Sequence, residues 1–491
     1  MSRANRSPEE NEPQQAQAEP ATQPQPAKPR QLPPAQALFL KGLQHQRAGR
    51  QDEAAAHYLR TLEIDRKHSG AWANLGIALR SAKRFEAALA CYRRAMEVSP
   101  DPAMALGNVG NVLKDLGRLD ESIAAHESAV ALDPENAKTQ HNYGISLKEA
   151  GRLQDALDAF DKACAIEPDF TGALWDRALV LLHLERFADG WPAYEVRWDL
   201  DELPARPYRA PRWRGEDFAG KRLLIYPEQG FGDAILASRF VPLAKRRGGE
   251  IIFECKPETR RLFSTLEGVD RFTVTGDGTD EAAAFDLHCP IMSLPGLFQA
   301  DLDNLPPAPT LCVPQSSLDK FRPLFDRDVD RFKIGIVWSG SLTFKGNRTR
   351  STSLSRFLEL TEIPGIQLYS LHKGPLERQL VETGANAAIV DIGGKVEDFA
   401  DTAAAIQFLD LVIMTDSATA HLTASLGKPI WNLLPFMPYW LYLMDRDDSP
   451  WYPTMRLFRQ TSHGDWDGVF RQVTAALREA VEAKRAGRWP G

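Results

Sequence analysis

Four stretches of the chain carry side chains whose types and spacing suit chemistry on a phosphate-bearing ligand. Glu228-Gln229-Gly230-Phe231-Gly232-Asp233 is a glycine-rich turn ending in an acid. Ser339 to Arg350 is polar, contains glycine and holds three cations, Lys345, Arg348 and Arg350. Lys373 follows an apolar run that ends at Leu371. In Asp416-Ser417-Ala418-Thr419-Ala420-His421, small polar residues stand where a helix would begin, directly after the apolar run Leu411-Val412-Ile413-Met414. Unpaired amides and the positive end of a helix dipole converge at such a point and suit a phosphate. Lys345, Arg348 and Arg350, with Lys373 as a further candidate, could neutralise a departing diphosphate, and Asp233 could take the proton from an attacking hydroxyl. Taken singly, each feature has a plainer reading. Asp233, Asp416 and Ser417 suit helix caps, the basic loop and Lys373 suit solvated surface, and a lone His421 suits a structural role.

Other chemistries fit less well. Gly230-x-Gly232 followed by Glu254 resembles part of a dinucleotide fingerprint, but Ile235 replaces the third glycine and Asp233 opens the helix beside the would-be pyrophosphate. His421 has no second ligand at zinc spacing, and the acids of Asp326-Arg327-Asp328 fall in a loop without strand context. A metal-independent reaction without a resident cofactor is expected.

These stretches require strands and helices to hold them. Lys221–Tyr226 and Glu250–Cys255 read as buried strands, Ala234–Lys245 and Pro257–Leu266 as helices, with strands near Phe272 and Leu287. Pro306–Asp330 reads as a boundary. Lys333–Trp338 and Ile366–Leu371 start a second unit, and strand 411–415, the helix after it and Pro429–Pro435 form a βαβ unit. A last helix from Asp467 puts Phe470, Val473, Leu477 and Val481 on one face. The alternation predicts two Rossmann-like lobes facing a cleft, with ligands at the C-terminal ends of the strands.

Ahead of the lobes the sequence repeats every 34 residues from Ala35, with starts at Ser69, Ala103, Ala137 and Thr171. Position 8 is Gly42, Gly76, Gly110, Gly144 and Ala178, and position 24 is Tyr58, Tyr92, His126, Phe160 and Tyr194. This is the tetratricopeptide pattern, which stacks helix pairs into an α-solenoid with a concave groove. Small residues at position 8 let the paired helices approach, and the large residue at 24 is expected to fill space between neighbouring repeats. Asn74, Asn108, Asn111 and Asn142 lie on first helices and could bond a peptide backbone, or stand solvated. Gly190 to Trp198 breaks the pattern, so the fifth repeat is expected to end there and dock on the region C-terminal to it. Pro204, Pro207 and Pro211 read as a stiff linker. The expected organisation is a disordered tail over 1–33, repeats over 34–204, and lobes over 205–328 and 329–491.

Composition bounds the class. The 491 residues are 43% hydrophobic and 25% charged, with net charge −7, so no basic field recruits nucleic acid. No apolar run approaches the roughly 20 residues that span a bilayer. The N-terminus lacks an apolar signal region, and the five scattered cysteines suit reduced thiols, so a cytoplasmic setting is expected.

The segments 190–198, 228–233, 398–404, 416–427 and Asp448-Ser449-Pro450-Trp451-Tyr452-Pro453 together resemble bacterial glycosyltransferases that join tetratricopeptide repeats to a GT-B region. These are related to heptosyltransferase-like enzymes and more distantly to protein O-GlcNAc transferases, and some are flagellin glycosyltransferases. The resemblance implies Asp233 as base, Lys373 as a phosphate contact and Ser417 to His421 as the donor-phosphate turn. Gln229, Gly230, Gly232, Ser339, Arg348 and Asp416 would complete the nucleotide-sugar site. Ser417-Ala418-Thr419 replaces an expected Thr-Ser-Val, and Pro438-Tyr439-Trp440 an expected Trp-Arg-Trp-like run. The expected function is sugar transfer to a protein Ser/Thr hydroxyl, with the acceptor, flagellin among the options, held by the repeats. The alternatives are a non-catalytic adaptor with a degenerate nucleotide-sugar-binding region, or a transferase acting on a glycan.

Overall fold

The computed structural model describes residues 32–200, 206, 208–275, 284–344 and 346–489. Most of the expected tail, the prolines 204 and 207 and the cation Lys345 lie outside these residues.

The repeats pair helices α1 (Pro34–Arg47) with α2 (Gln51–Ile64), α3 (Ser69–Ser81) with α4 (Phe85–Val98), and α5 (Ala103–Asp115) with α6 (Leu119–Leu132). Helices α7 (Ala137–Glu149) and α8 (Leu153–Ile166) come next, then α9 (Thr171–His183) and the short α10 (Phe187–Tyr194). The position-8 glycines are required by close approach. A Cβ on Gly42, Gly76, Gly110 or Gly144 would stand 2.5–2.7 Å from the ring of Tyr58, Tyr92, His126 or Phe160. The position-24 ring therefore covers the glycine of its own repeat, and Tyr58, Tyr92 and Phe160 also share apolar clusters with Leu75, Val109 and Val180 of the next repeat. Pro100, Pro134 and Pro168 each come two residues after a second helix. Helix α10 continues through Pro192 to Tyr194 and ends in a 3-10 turn, Glu195–Asp199, so helix persists where the sequence predicts a break.

The first sheet is parallel, in the order β3 (Arg271–Val274), β2 (Glu250–Cys255), β1 (Arg222–Tyr226), β4 (Leu287–Pro290). Two expected helices come out differently. Helix α11 (Phe231–Ala237) gives way to a 3-10 turn and then to Val241–Lys245, because Pro242 removes a donor and crowds the preceding turn. Residues 257–266 form two 3-10 turns, Pro257–Thr259 and Leu262–Thr265.

The second sheet uses β5 (Phe332–Val337), β6 (Ile366–Ser370), β7 (Ile389–Asp391), β8 (Leu411–Thr415), β9 (Ile430–Leu434), β10 (Asp448–Ser449) and β11 (Tyr452–Arg459). Its order is β7-β6-β5-β8-β9-β11-β10, and all pairs are parallel except β10 with β11. This is a doubly wound arrangement whose strand order reverses between β5 and β8, the point where such sheets hold ligands. Strands β8 and β9 are buried at every residue, as expected with both faces covered. Ile334, Ile336, Leu411 and Ile413 face a core that includes Phe470, Val473, Leu477 and Val481 of the helix Trp466–Arg485, while Val412 and Met414 face the other core. A helix, Gln315–Phe325, stands where the sequence reads as an irregular boundary; Phe325 stacks on Phe408 and Tyr369.

That other core is shared. Leu182, Phe187, Trp191 and Tyr194 of the fifth repeat belong to the same apolar cluster as Ile225, Phe240, Leu294, Ala403, Trp440 and Tyr452. Trp191 donates to the carbonyl of Ala300 at 2.7 Å and meets Trp440 edge-on at 5.4 Å. The fourth repeat also touches the second lobe, where His463 Nε2 bonds the Glu149 carbonyl at 2.7 Å.

Candidate functional site

The glycine-rich turn leaves β1, and Gly230 caps α11. Asp233 sits three residues on, and its Oδ2 accepts the Gly230 N–H at 3.0 Å. The capping role is therefore real, and the residue as a whole is partly exposed. Burial pushes its pKa up to about 6, the Gly230 amide opposes this, and Asp416 of the second lobe raises it further. The neighbouring Gly232 lies against Ala418, where a Cβ would stand 3.4 Å from its Cα, so the two turns meet across the lobes.

On the second lobe, β8 delivers Asp416 and the helix Ala418–Ser425. Asp416 is 8% exposed and accepts from Tyr442 Oη at 2.7 Å and from Arg350 Nη1 at 3.2 Å. Ser417 caps the helix without a side-chain bond. Among the described residues nothing accepts from the amides of Ala418 and Thr419, and both residues are partly exposed. His421 is buried, bonds Tyr452 Oη through Nδ1 at 3.1 Å, and is pushed by burial to about 4, so it is neutral at pH 7. Its ring rests on Gly232, where a Cβ would meet Cδ2 at 2.8 Å.

The structure thus brings Gly232, Asp233, Asp416, Ala418 and His421 together. The expected cleft is closed along α11, with Phe231 on Phe399 at 4.9 Å and Gly232 on His421. The open side is the one carrying Asp233 and Ser417 to Thr419.

Other expected residues stand elsewhere. Arg348 is exposed, whereas Arg350, two residues on, lies over Phe344 at 4.3 Å and reaches Asp416. Ser339 and Asn347 of the loop are buried, with Asn347 Nδ2 donating to Ser339 Oγ at 3.0 Å. Lys373 is exposed and donates to the Val396 carbonyl, one strand removed from the β5/β8 crevice. Gln229 is engaged by Tyr194. Glu254 is 1% exposed and accepts from Arg206 and Thr275, which leaves it unsuited to bind a ribose. Asn74 donates from Nδ2 to the Gly70 carbonyl of its own helix at 2.8 Å, and Asn74, Asn108, Asn111 and Asn142 are all partly exposed. Asp328 is 7% exposed and accepts from Tyr369 at 2.7 Å, a structural use of that acid.

Sequence reasoning missed the residues that hold the lobes in register. Arg261 of the first lobe forks onto Asp398 at 2.6 and 2.8 Å and reaches Asp401 at 2.6 Å. Arg239 donates to the Trp451 carbonyl at 3.0 Å and covers the Tyr452 ring at 4.7 Å. The signal in the sequence was that 398–404 and 448–453 are among the segments that carry the family resemblance, which by itself assigns them no partner. Against the cost of burial, Lys320, Ser317 and Arg261 hold the Asp401 carboxyl down to about 2. A depressed carboxyl contributes stability above its unfolded pKa near 4 and loses it as pH falls toward 2. Arg261→Ala is expected to cost about 1–2 kcal/mol, less than a fully buried pair because the arginine is partly solvated. Denaturant unfolding at pH 7 and pH 3 checks this, with the difference between wild type and variant shrinking at pH 3.

Buried polar atoms without partners gather around the same crevice. They are Arg350 Nε, Thr352 Oγ1, His372 Nδ1 and Thr415 Oγ1, at or just beyond the C-terminal ends of β5, β6 and β8. Unpaired buried side-chain atoms also occur elsewhere, in the repeats and near Trp440 and Trp451, so these four do not by themselves mark a ligand site.

Tetratricopeptide-repeat profiles match residues 67–135, 101–168 and 142–196. Protein FlbA of Caulobacter vibrioides is 27% identical over 329 residues, covering 62% of this chain and 54% of FlbA, so the chain spans about half the length of that relative. Among solved structures, MamA from Desulfovibrio magneticus RS-1 is 19% identical with a TM-score of 0.29, covering 34% of this chain and 92% of that chain. PilF of Pseudomonas aeruginosa is 21% identical with a TM-score of 0.32, covering 34% and 75%. The N-terminal part of the chain is a tetratricopeptide-repeat solenoid, and a mixed α/β region with parallel sheets comes after it.

Proposed function

We propose that the chain is a GT-B glycosyltransferase that moves a sugar from a nucleotide-activated donor to a Ser/Thr hydroxyl of a protein. The observation that carries this reading is the packing of Gly232, beside Asp233 in the turn after β1, on Ala418 and His421 of the Asp416–His421 turn after β8, whose Ala418 and Thr419 amides have no acceptor among the described residues. Asp233 would take the hydroxyl proton. The amides of Ala418 and Thr419, with Arg350 anchored by Asp416, would stabilise the departing diphosphate. No step calls for a metal ion, and turnover undiminished by a chelator is expected.

The repeats point to a protein partner, with flagellin among the acceptors to test. Asn108, Asn111 and Asn142, together with the exposed Met104 and Ile77, would line its path. Replacing the three asparagines by alanine should raise KM for the protein acceptor about 10- to 150-fold and leave donor binding unchanged, if each lost backbone bond weakens binding by about 0.5–1 kcal/mol. Titrating acceptor at saturating donor measures this.

A second reading, a non-catalytic adaptor, draws on the closure of the seam at Gly232 and His421. One experiment separates the two. Purified protein is given UDP-, GDP- and ADP-linked sugars with and without flagellin, and nucleoside diphosphate release is monitored. Acceptor-dependent release supports transfer. Thermal stabilisation by a sugar nucleotide without release supports the adaptor.

A further inference from the structure

The repeat array reaches the glycine-rich turn through Arg197, which bonds Glu228 at its start, and through Tyr194, which bonds Gln229 next to the glycines and which the proposed transfer does not use. In the first repeat the position-24 hydroxyl, that of Tyr58, bonds Gln46 within its own repeat. In the fifth, Tyr194 carries its hydroxyl out of the solenoid to the side-chain amide of Gln229, at 3.1 Å from Oε1 and 3.0 Å from Nε2. Tyr194 is 1% exposed, so this bond is shielded from water. Gln229 is pinned a second time, its carbonyl accepting from Lys256 Nζ at 3.2 Å. The next residue, Gly230, gives its N–H to Asp233. Tyr439, from the segment after β9, interacts with the Tyr194 hydroxyl and lies in the field of Asp233. Solenoid, first lobe and second lobe therefore meet beside the carboxylate.

We propose that Tyr194 is a positioning residue: the seated fifth repeat holds Gln229, and through it the turn that orients the Asp233 carboxylate. Its kinetic consequence rests on the reading of Asp233 as base, while its mechanical consequence does not. The arrangement makes the centre depend on the docked array, so that a chain whose array is displaced would lose the aim of its carboxylate without losing any residue of the site.

Tyr194→Phe removes only the hydroxyl. The ring keeps its neighbours Trp175 at 5.1 Å, Trp191 at 6.0 Å and the Arg197 guanidinium at 4.9 Å, so folding is preserved. In the full chain, hydrogen exchange of the 229–233 amides should quicken about tenfold, the worth of one buried hydrogen bond, while exchange in 411–415 stays unchanged. With whichever UDP-, GDP- or ADP-linked sugar is turned over, kcat should fall about tenfold at unchanged KM, and the acid limb of the pH profile should move. Gln229→Ala should give the same loss, and the double variant no more than either single change. Unaltered exchange at 229–233, or a loss confined to KM, overturns the proposal. Full turnover by Asp233→Asn would instead overturn the reading of Asp233 as base, and the exchange result would still decide whether Tyr194 positions the turn.

Discussion

Asp233→Asn is expected to lower sugar transfer by about 10²–10⁴-fold, the usual contribution of a positioned general base. The amide is isosteric and can still accept the Gly230 N–H through its carbonyl oxygen, so α11 keeps its cap. Donor affinity should survive, because the anion cradle belongs to the other lobe. The pH profile carries a second expectation. Burial and the nearby Asp416 push the Asp233 carboxyl up to about 6, so transfer by the wild type should rise through that pH as the carboxylate forms. A raised folded pKa means the folded state binds the proton more tightly than the unfolded chain. Stability linked to Asp233 is then present at low pH and lost as pH climbs from about 4 to about 6. Asn at 233 escapes that loss, and the variant should be at least as stable as wild type at pH 7.5 while nearly inactive. Transfer assays paired with thermal unfolding test both halves. A variant that is inactive because it is unfolded would remove the catalytic interpretation.

The second large effect is on stability. Arg197 is fully buried between the rings of Tyr194 and Trp198 and donates to Glu195 at 2.7 Å, Ser293 at 2.7 Å and Glu228 at 3.0 Å. Glu228 is itself buried, and burial pushes it up to about 7 even with the guanidinium beside it. Arg197→Ala strips the partner from a buried acid and opens a cavity where repeats and first lobe share a core, so a loss of about 3–5 kcal/mol is expected. Without its cation, Glu228 is more easily kept protonated, and the folded form of the variant should weaken further as pH rises from 6 to 8. Denaturant unfolding at those two pH values is the measurement. A Glu228→Gln change added to Arg197→Ala should recover part of the loss, because an amide costs less to bury unpaired than a carboxylate. No recovery would place the damage in the cavity alone.

The coupling of array and lobes also bears on truncation. Trp191, Tyr194 and Arg197 are each at most 3% exposed. Removing 35–204 to ask whether the acceptor is a glycan would therefore uncover the shared core, and groove substitutions are the sounder test.

The period of 34 was legible in the sequence because its physics is local. Gly42 meets Tyr58 and Gly144 meets Phe160 across 16 residues of one helix pair, so each contact is written within its own repeat. Strands β8 and β9 were legible because a parallel strand covered on both faces must be apolar at every position. Strand β11 was not: it carries Pro453, Arg456 and Arg459 and lies between β9 and the two-residue β10 at the sheet edge. The residues around the candidate site were fixed by tertiary structure alone. Nothing in the basic loop distinguishes Arg348 from Arg350 until Phe344 and Asp416 are placed around the latter. Arg261 finds Asp398 across 137 residues and Arg239 finds Trp451 across 212. Periodicity and turn chemistry report on neighbours along the chain, and they determined the solenoid, the two sheets and the turns at their strand ends. Which lobes touch, and which side chains meet where they do, depends on surfaces formed only after those elements have packed.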